Sequence, residues 1–189
     1  KYQATQASKF TVAQTPSATE TGYATRIGAG FQSYLACTVA SSVSVGASDE
    51  FEITQPIEGF NTVDLAWGTS SAKTVTLSFW VYSSLTGTFG GAIRNAGGTL
   101  RSYPFTYTIS SANTWEQKTV TIAGDTSGTW VGATNGIGMK VYWGLGVGSS
   151  YSATAGSWGV TNACGATGGL SVVATLNATF YITGVQLER

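Results

Sequence analysis

Histidine is absent from this chain of 189 residues. Catalytic triads of serine or cysteine need imidazole as their general base, and many metal sites need it as a ligand, so both kinds of site are disfavoured. The two cysteines, Cys37 and Cys164, lie far apart in the sequence and fit no metal-ligand spacing. They are expected to be two buried thiols, with a disulfide between strands as the alternative. No metal and no cofactor is expected.

Charge is also scarce, since Lys, Arg, Asp and Glu make up only 10% of the residues, nine basic against nine acidic. Soluble domains carry about 25% charged residues. A sparse and balanced charge provides neither the basic footprint of a nucleic-acid-binding protein nor an acidic tail. Apolar runs are short as well, and none approaches the roughly 18 residues of a membrane-spanning helix. Neither a nucleic-acid partner nor membrane insertion is expected.

The residues that are plentiful favour β-structure. Hydrophobic residues make up 42%, with six Trp, nine Tyr and eight Phe, which is enough apolar surface to offset the entropy of an ordered chain. Glycine is frequent, at 25 residues, and proline is rare, at three. The length suits a single domain, residues 1–189. We expect this domain to be the C-terminal part of a longer protein.

Strict alternation of apolar and polar residues is the strongest local signal. It runs through residues 73–82, where one face of the predicted strand carries Val75, Leu77, Phe79 and Val81. Trp80 and Tyr82 fall on the other face. The same period recurs at 137–147 and 179–183. Weaker strands are predicted at 10–13, 23–27, 32–38, 50–56, 88–94, 102–108 and 115–122.

The strand pattern predicts the fold class. No window shows the periodicity of an amphipathic helix, and only a short helical turn is expected, at 62–66. Eight to ten short strands separated by clusters of Gly, Asn, Asp and Ser are typical of two packed antiparallel sheets. The chain is therefore predicted to be all-β, an antiparallel β-sandwich of the jelly-roll type with little or no helix.

Three local details follow from backbone chemistry. Pro56 lacks a ladder donor and is expected to end the strand that precedes it. Glu58 is expected to accept backbone N–H bonds in the following turn, which begins at Gly59. Gly184 is expected to create a bulge that lets Ile182 and Val185 both face the core.

Paired carboxylates are the remaining route to catalysis. Glycoside hydrolysis needs two acids roughly 5 to 9.5 Å apart, and Glu50 and Glu52 project from the same face of one predicted strand. A solvated strand face, or an ion pair with Arg94 or Arg101, explains these acids more simply. No catalytic residue is assigned, and the chain is predicted not to be an enzyme.

The stretch 148–169 consists mostly of Gly, Ser, Ala and Thr, with Tyr151 and Trp158 embedded. Loops this long are uncommon unless they carry function or are mobile. Flat aromatic rings can stack on sugar rings. The candidate ligand-binding residues are Tyr151 and Trp158, with Arg94, Arg101 and Tyr103 on a neighbouring edge.

Two other uses of the aromatic residues stay open. Tyr151 and Trp158 can instead pack the loop or a neighbouring subunit. Trp80 and Tyr82 lie on the outer face of the best predicted strand, and they are the candidate oligomer contacts.

Several segments carry a resemblance to a known family. They are QPIEGF at 55–60 running into DLAWGT at 64–69, TLSFWV at 76–81, NTWE at 113–116, GDTSGTW at 124–130 and the ending YITGVQLE at 181–188. Together they resemble a module found in bacteriophage and prophage tail, tail-fibre and virion structural proteins. The resemblance runs through nearly the whole chain, with the motifs in the expected order.

The resemblance implies a role as well as a fold. Such modules are jelly rolls similar to carbohydrate-binding domains, and they sit on the surface of the extracellular phage particle. The implied partners are sister subunits in a homo-oligomer, with a trimer favoured, other virion proteins and a host surface glycan. We therefore expect a non-enzymatic virion module, in a tail or fibre protein, that contributes to recognition of host glycan. A purely structural tail or head-decoration protein is the first alternative, and a glycan depolymerase is the second.

Overall fold

The computed structural model describes residues 8–16, 31 and 33–189 of the chain. These residues form eleven strands, joined by turns and by four single-turn 3-10 segments. The strands are β1 (Phe10–Pro16), β2 (Ser33–Val39), β3 (Glu50–Glu58), β4 (Val75–Ser83), β5 (Gly87–Asn95), β6 (Ser102–Ile109), β7 (Glu116–Ile122), β8 (Ile137–Val147), β9 (Ser152–Ala153), β10 (Gly165–Ala166) and β11 (Thr179–Glu188). The 3-10 segments are Gly59–Asn61, Val63–Leu65, Ser149–Tyr151 and Val172–Ala174.

Two antiparallel sheets build the sandwich. The five-stranded sheet has the order β1-β2-β11-β4-β7, and the four-stranded sheet has the order β3-β8-β5-β6. The short strands β9 and β10 pair in parallel outside both sheets. The predicted all-β sandwich is confirmed, as are the predicted strands that fall within the described residues and the helical turn near Val63. The strand predicted at 23–27 lies outside the described residues.

The core lies between the inward faces of the two sheets. Val75, Leu77, Phe79 and Val81 are all buried, as their alternation predicts. From the facing sheet, the rings of Tyr107 and Trp143 meet Phe79 edge-on, with centroids 5.0 and 5.7 Å away. Edge-to-face packing of this kind adds to the stabilisation that area burial provides. Phe79 is therefore central to the contact between the sheets.

The three expectations from backbone chemistry met different outcomes. Pro56 does not end β3, which continues to Glu58, because β3 is an edge strand and one missing donor there need cost no ladder bond. The prediction for Glu58 is also wrong, since its side chain makes no capping hydrogen bond to the 3-10 turn. Gly184 does adopt a left-handed conformation, at φ +59°, within a register shift of β11. Val185, however, is 43% exposed, because the bulge leaves it outside the alternation.

Residues 148–169, here called the strap, cross the outer face of the four-stranded sheet. The outward-facing side chains of Ala92, Ser102 and Tyr142 are buried there. Gly90 permits this approach, because a Cβ at that position would lie 2.7 Å from the backbone nitrogen of Ala166. The five-stranded sheet, by contrast, keeps exposed or half-exposed side chains on the outer side of β4, β7 and β11.

Both cysteines are buried and neither forms a disulfide, so the disulfide alternative is wrong. Cys37 lies in the core on β2, and Cys164 lies in the strap. Among the described residues, no helix has the length and apolar character needed to cross a membrane.

Replacing Phe79 should destabilise the sandwich far more than replacing an exposed phenylalanine. Phe79→Ala is expected to lower the free energy of unfolding by about 3–5 kcal/mol, because it leaves a cavity between the sheets. Phe60 is 59% exposed, and Phe60→Ala should change it by less than about 0.5 kcal/mol. Urea denaturation followed by Trp fluorescence measures both values. Similar midpoints for the two variants would contradict the assignment of the core.

Candidate functional site

Five aromatic side chains gather on the outer side of the five-stranded sheet. Alternation along β4 turns Trp80 and Tyr82 outward, and the register of β11 places Tyr181 directly opposite Tyr82. Tyr34 on β2 and Trp115, just before β7, complete these five, and Phe31 packs against them as a sixth ring. We call Tyr34, Trp80, Tyr82, Trp115 and Tyr181 the aromatic face.

The rings of the aromatic face contact one another across the strands. Tyr82 and Tyr181 stack almost parallel, at 5° with centroids 4.9 Å apart. Tyr34 lies 5.1 Å from Tyr181 and 5.4 Å from Trp115. Tyr34 and Trp115 are buried, whereas Trp80, Tyr82 and Tyr181 are half-buried. Two rings therefore form a base, and three rings present surface to a ligand.

The polar groups beside the aromatic face are uncharged. Trp80 stands in register between Thr183 and Gln117, and Ser78 stands between Gln186 and Thr119. Within the described part of this sheet's outer side, the strands carry a charge only at Glu188, two positions beyond Gln186 on β11. Hydroxyl and amide groups next to flat rings can donate to and accept from a polyhydroxylated ligand. The arrangement suits a neutral, polar ligand that has a ring.

A second aromatic group lies at the strap. Trp67, Trp130 and Trp158 meet edge-on, with centroids 4.8 to 5.4 Å apart, and Tyr103 lies 5.4 Å from Trp158. The indole nitrogen of Trp158 donates to the carbonyl oxygen of Ala123 at 2.6 Å. The faces and the N–H group of Trp158 are thus engaged by the protein itself, and they hold the strap in place.

Arg101 is committed to a neighbouring carboxylate. Its guanidinium donates to both oxygens of Asp125, at 2.6 and 2.8 Å, and Asp125 is almost fully buried. Asp125 also accepts from the backbone N–H of Ser127 and from the indole N–H of Trp130. This pair joins the loop after β7 to the start of β6. Its positive charge is neutralised within the fold.

Arg94 lies in a different environment, on the outer face of the four-stranded sheet. Its guanidinium carbon is 4.7 Å from the centroid of the Tyr142 ring, and its N–H groups donate to the Tyr142 hydroxyl and to the Asn162 side chain. Tyr151 sits in a 3-10 segment and is half-buried, and its carbonyl oxygen accepts from the N–H of Cys164.

The five predicted ligand residues are therefore not gathered into one site. Trp158 and Tyr103 touch, Arg101 connects to them through Asp125 and Trp130, and Arg94 belongs to the Tyr142 cluster. A ligand role for these residues stays a prediction. The contacts described above give each of the two arginines and Trp158 a partner within the chain.

Glu50 and Glu52 meet Cys164 under the strap. One side-chain ligand atom from each lies within 4.8 Å of the others, and the thiol donates to Glu50 at 3.3 Å. Neither carboxylate forms an ion pair with Arg94 or Arg101, so that expectation is wrong. In glycoside hydrolysis the two carboxyl groups flank the glycosidic bond or a water. Here the thiol of Cys164 lies against both carboxyl groups. The pair is not arranged for hydrolysis.

The same trio suits a metal ion poorly. Burial raises the pKa of the Cys164 thiol, so the sulfur keeps its proton, whereas a metal ligand must lose it. The guanidinium of Arg94 also lies 3.5 Å from the sulfur and would repel a cation.

Sequence reasoning found part of the aromatic face and missed the rest. Alternation singled out Trp80 and Tyr82, but it did not join them to Tyr34, Trp115 and Tyr181. Those three lie on or beside other strands, and their proximity depends on the strand order β2-β11-β4-β7. The only local signal was the position of Tyr181 between two buried residues, Phe180 and Ile182.

Comparison with known proteins finds only distant structural likenesses. No protein-family model matches the sequence, and a search of curated proteins found no match. Among solved structures, a CBM4 structure is 16% identical over 82% of this chain and 70% of its own, with a TM-score of 0.45. A family 16 carbohydrate-binding module is 13% identical over 95% and 86%, with a TM-score of 0.42. The N-terminal cellulose-binding domain of β-1,4-glucanase C from Cellulomonas fimi is 16% identical over 82% and 77%, with a TM-score of 0.33.

Removing the carboxylate of Asp125 should destabilise the protein much more than removing an exposed one. Asp125→Ala leaves the guanidinium of Arg101 without its counter-ion, and we expect the free energy of unfolding to fall by about 3 kcal/mol. Asp64 is 67% exposed at its side chain and lies 4.0 Å from Arg189, so Asp64→Ala should cost less than about 1 kcal/mol. Denaturant titrations at constant ionic strength compare the two variants. Equal losses would show that the Arg101–Asp125 pair is not structural.

Proposed function

We propose that this chain is a non-catalytic module that binds a neutral glycan on the aromatic face. The observation that carries the proposal is an uncharged surface of clustered aromatic rings, three of them partly accessible, on the outer side of the five-stranded sheet. The strap covers the corresponding side of the other sheet. An open aromatic surface on a protein with balanced, sparse charge favours a ligand that is recognised by shape and hydrogen bonding.

The recognition follows from the side chains present. Sugar rings have apolar C–H faces and polar hydroxyl edges. The half-buried rings of Trp80 and Tyr181 offer flat apolar surfaces on which the C–H faces can stack. Gln117 and Ser78, in neighbouring register positions, can exchange hydrogen bonds with the sugar hydroxyl groups. The half-buried rings of the aromatic face pack against Tyr34 and Trp115. Little side-chain entropy therefore remains to be lost when a ligand binds.

We further propose that the glycan belongs to a bacterial host surface and that the module sits on a virion. The sequence resemblance to phage tail and fibre modules supports both parts. In this role the aromatic face points away from the particle, and assembly with sister subunits presents several copies together. Repetition would raise the overall affinity without any new contact.

The structural alternative uses the same side chains in another way. Trp80 and Tyr82 can bury against a sister subunit, and the half-exposed rings that favour a ligand favour this contact as well. The two functions separate on whether the rings remain accessible in the assembled protein.

Removing one of the half-buried rings of the aromatic face should weaken binding and leave the fold intact. Trp80→Ala and Tyr181→Ala are each expected to weaken binding of a neutral oligosaccharide at least about tenfold, equivalent to about 1.4 kcal/mol. Phe60→Ala, at an exposed aromatic residue in the 3-10 segment that follows β3 of the other sheet, is the matched control and should bind normally. A glycan array identifies the ligand, and calorimetry gives its Kd for each variant.

The same experiment can reject the proposal. If the wild-type protein binds no neutral glycan, and Trp80→Ala instead changes the oligomeric state in light scattering, the aromatic face is a subunit contact. Preferential binding of acidic glycans would contradict the role of the uncharged surface.

A further inference from the structure

The Glu50, Glu52 and Cys164 cluster connects the strap to the four-stranded sheet. Glu50 and Glu52 project outward from β3, and Cys164 comes down onto them from the strap. The thiol donates its hydrogen to Glu50. The Oε2 atom of Glu52 and the hydroxyl of Thr54 are both buried without a hydrogen-bond partner. The cluster therefore holds one carboxylate oxygen for which the closed strap provides no donor.

The nearby positive charge is directed elsewhere. The guanidinium of Arg94 donates to Tyr142, to Asn162 and to Cys164, and its Nε atom makes no hydrogen bond. Arg94 can balance one of the two carboxylates at a distance. A second negative charge has no counter-ion in contact, and an unpaired charge in a buried site is costly.

Other titratable groups around Glu52 do not relieve this imbalance. Tyr142 on β8 and Cys164 in the strap are buried, and burial raises the pKa of each, so both stay neutral. Lys140 lies opposite Pro56, four residues along β8 from Gly144, which is the register partner of Glu52. The cluster is therefore near neutrality only while Glu52 is protonated.

We propose that the strap is a proton-controlled clasp, closed over the four-stranded sheet while Glu52 carries a proton and opening locally around Cys164 when Glu52 ionises. Opening admits water to the second carboxylate and releases Asn162 and Cys164 from the sheet. The Trp158 hydrogen bond to Ala123 does not titrate, so the strap stays tethered at its middle. This clasp does not depend on glycan binding at the aromatic face.

The direction of the pH dependence follows from linkage. Burial raises the pKa of Glu52 above its ordinary value and the Glu50 charge adds to the rise, whereas the hydrogen bond with Cys164 and the Arg94 charge oppose it without cancelling it. The closed form thus binds the proton more tightly than the open form does. Its stability is complete below the ordinary pKa of glutamate and is lost as the pH rises towards the raised value. Acid closes the clasp, and a higher pH loosens it.

Cys164 provides a direct readout of opening. The alkylation rate of Cys164 by iodoacetamide is measured by mass spectrometry from about pH 4 to about pH 8, a range that spans ordinary and raised glutamate pKa values. Each rate is divided by the rate in the denatured chain at the same pH, which yields a protection factor. Protection of Cys164 should fall as the pH rises, by about tenfold for each unit by which the pKa of Glu52 is raised. Cys37, buried in the core, reports global unfolding and should stay protected.

Two variants isolate the responsible carboxyl group. Glu52→Gln keeps the size of the side chain without its charge, and it should remain protected at every pH. Glu58→Gln, an exposed glutamate on the same strand, should behave like the wild type. Amide hydrogen exchange of the strap, corrected for intrinsic rates, should show the same pH dependence in the unmodified protein, whatever the folding yield of the variants.

Three results would overturn the clasp. They are constant protection of Cys164 across the pH range, loss of protection in parallel with Cys37, and a pH dependence that persists in Glu52→Gln. Loss of glycan binding in Trp80→Ala has no bearing on these measurements, so the two proposals fail separately.

Discussion

The structure depends on the two-residue period of the β-strand. Val75, Leu77, Phe79 and Val81 face inward, and Phe79 contacts Tyr107 and Trp143 of the other sheet. Because successive side chains of a strand point to opposite faces, the residues between them face outward. A one-residue slip of β4 would bury Trp80 and Tyr82 and expose Phe79, at a cost of several buried side chains. The packing of the core therefore fixes the composition of the outer surface as firmly as it fixes the interior.

The outer sides of the two sheets differ in whether another part of the chain covers them. On the four-stranded sheet, Gly90 lets the strap lie directly on the strands, and the covered polar groups must find partners beneath it. Some do, as Ser102 shows, whereas the Oε2 atom of Glu52, the hydroxyl of Thr54 and the Nε atom of Arg94 do not. On the five-stranded sheet, the aromatic face stays accessible. One sheet thus gains a cover, and the other keeps a partly accessible aromatic surface.

The tryptophans discussed above also fall into two groups, those that pack in loops and Trp80 on the outer side of the five-stranded sheet. Trp67, Trp130 and Trp158 contact one another edge-on, and their N–H groups donate to oxygens of the chain, so these residues hold loops together. Trp80 has no such hydrogen bond to the described residues; its ring packs against the Tyr34 and Trp115 cluster, and its register neighbours are Thr183 and Gln117. The three loop tryptophans thus have partners within the chain, whereas the ring of Trp80 remains half-buried on the outer side of a sheet.

The sequence by itself determined the fold class, the strands and the inward residues, because alternation is a local property that survives without knowledge of partners. It also showed that Trp80 and Tyr82 face outward. It could not show which strands are neighbours, since β2 and β11 meet across about 140 residues of chain, and so it could not assemble Tyr34, Tyr181 and Trp115 around them. Only the tertiary structure decided that the strap covers one sheet, that Arg101 belongs to Asp125 and that Glu52 meets Cys164. Long-range contacts of this kind depend on strand order and on how closely backbones approach. The alternation of apolar and polar residues specifies neither, because it is a local property.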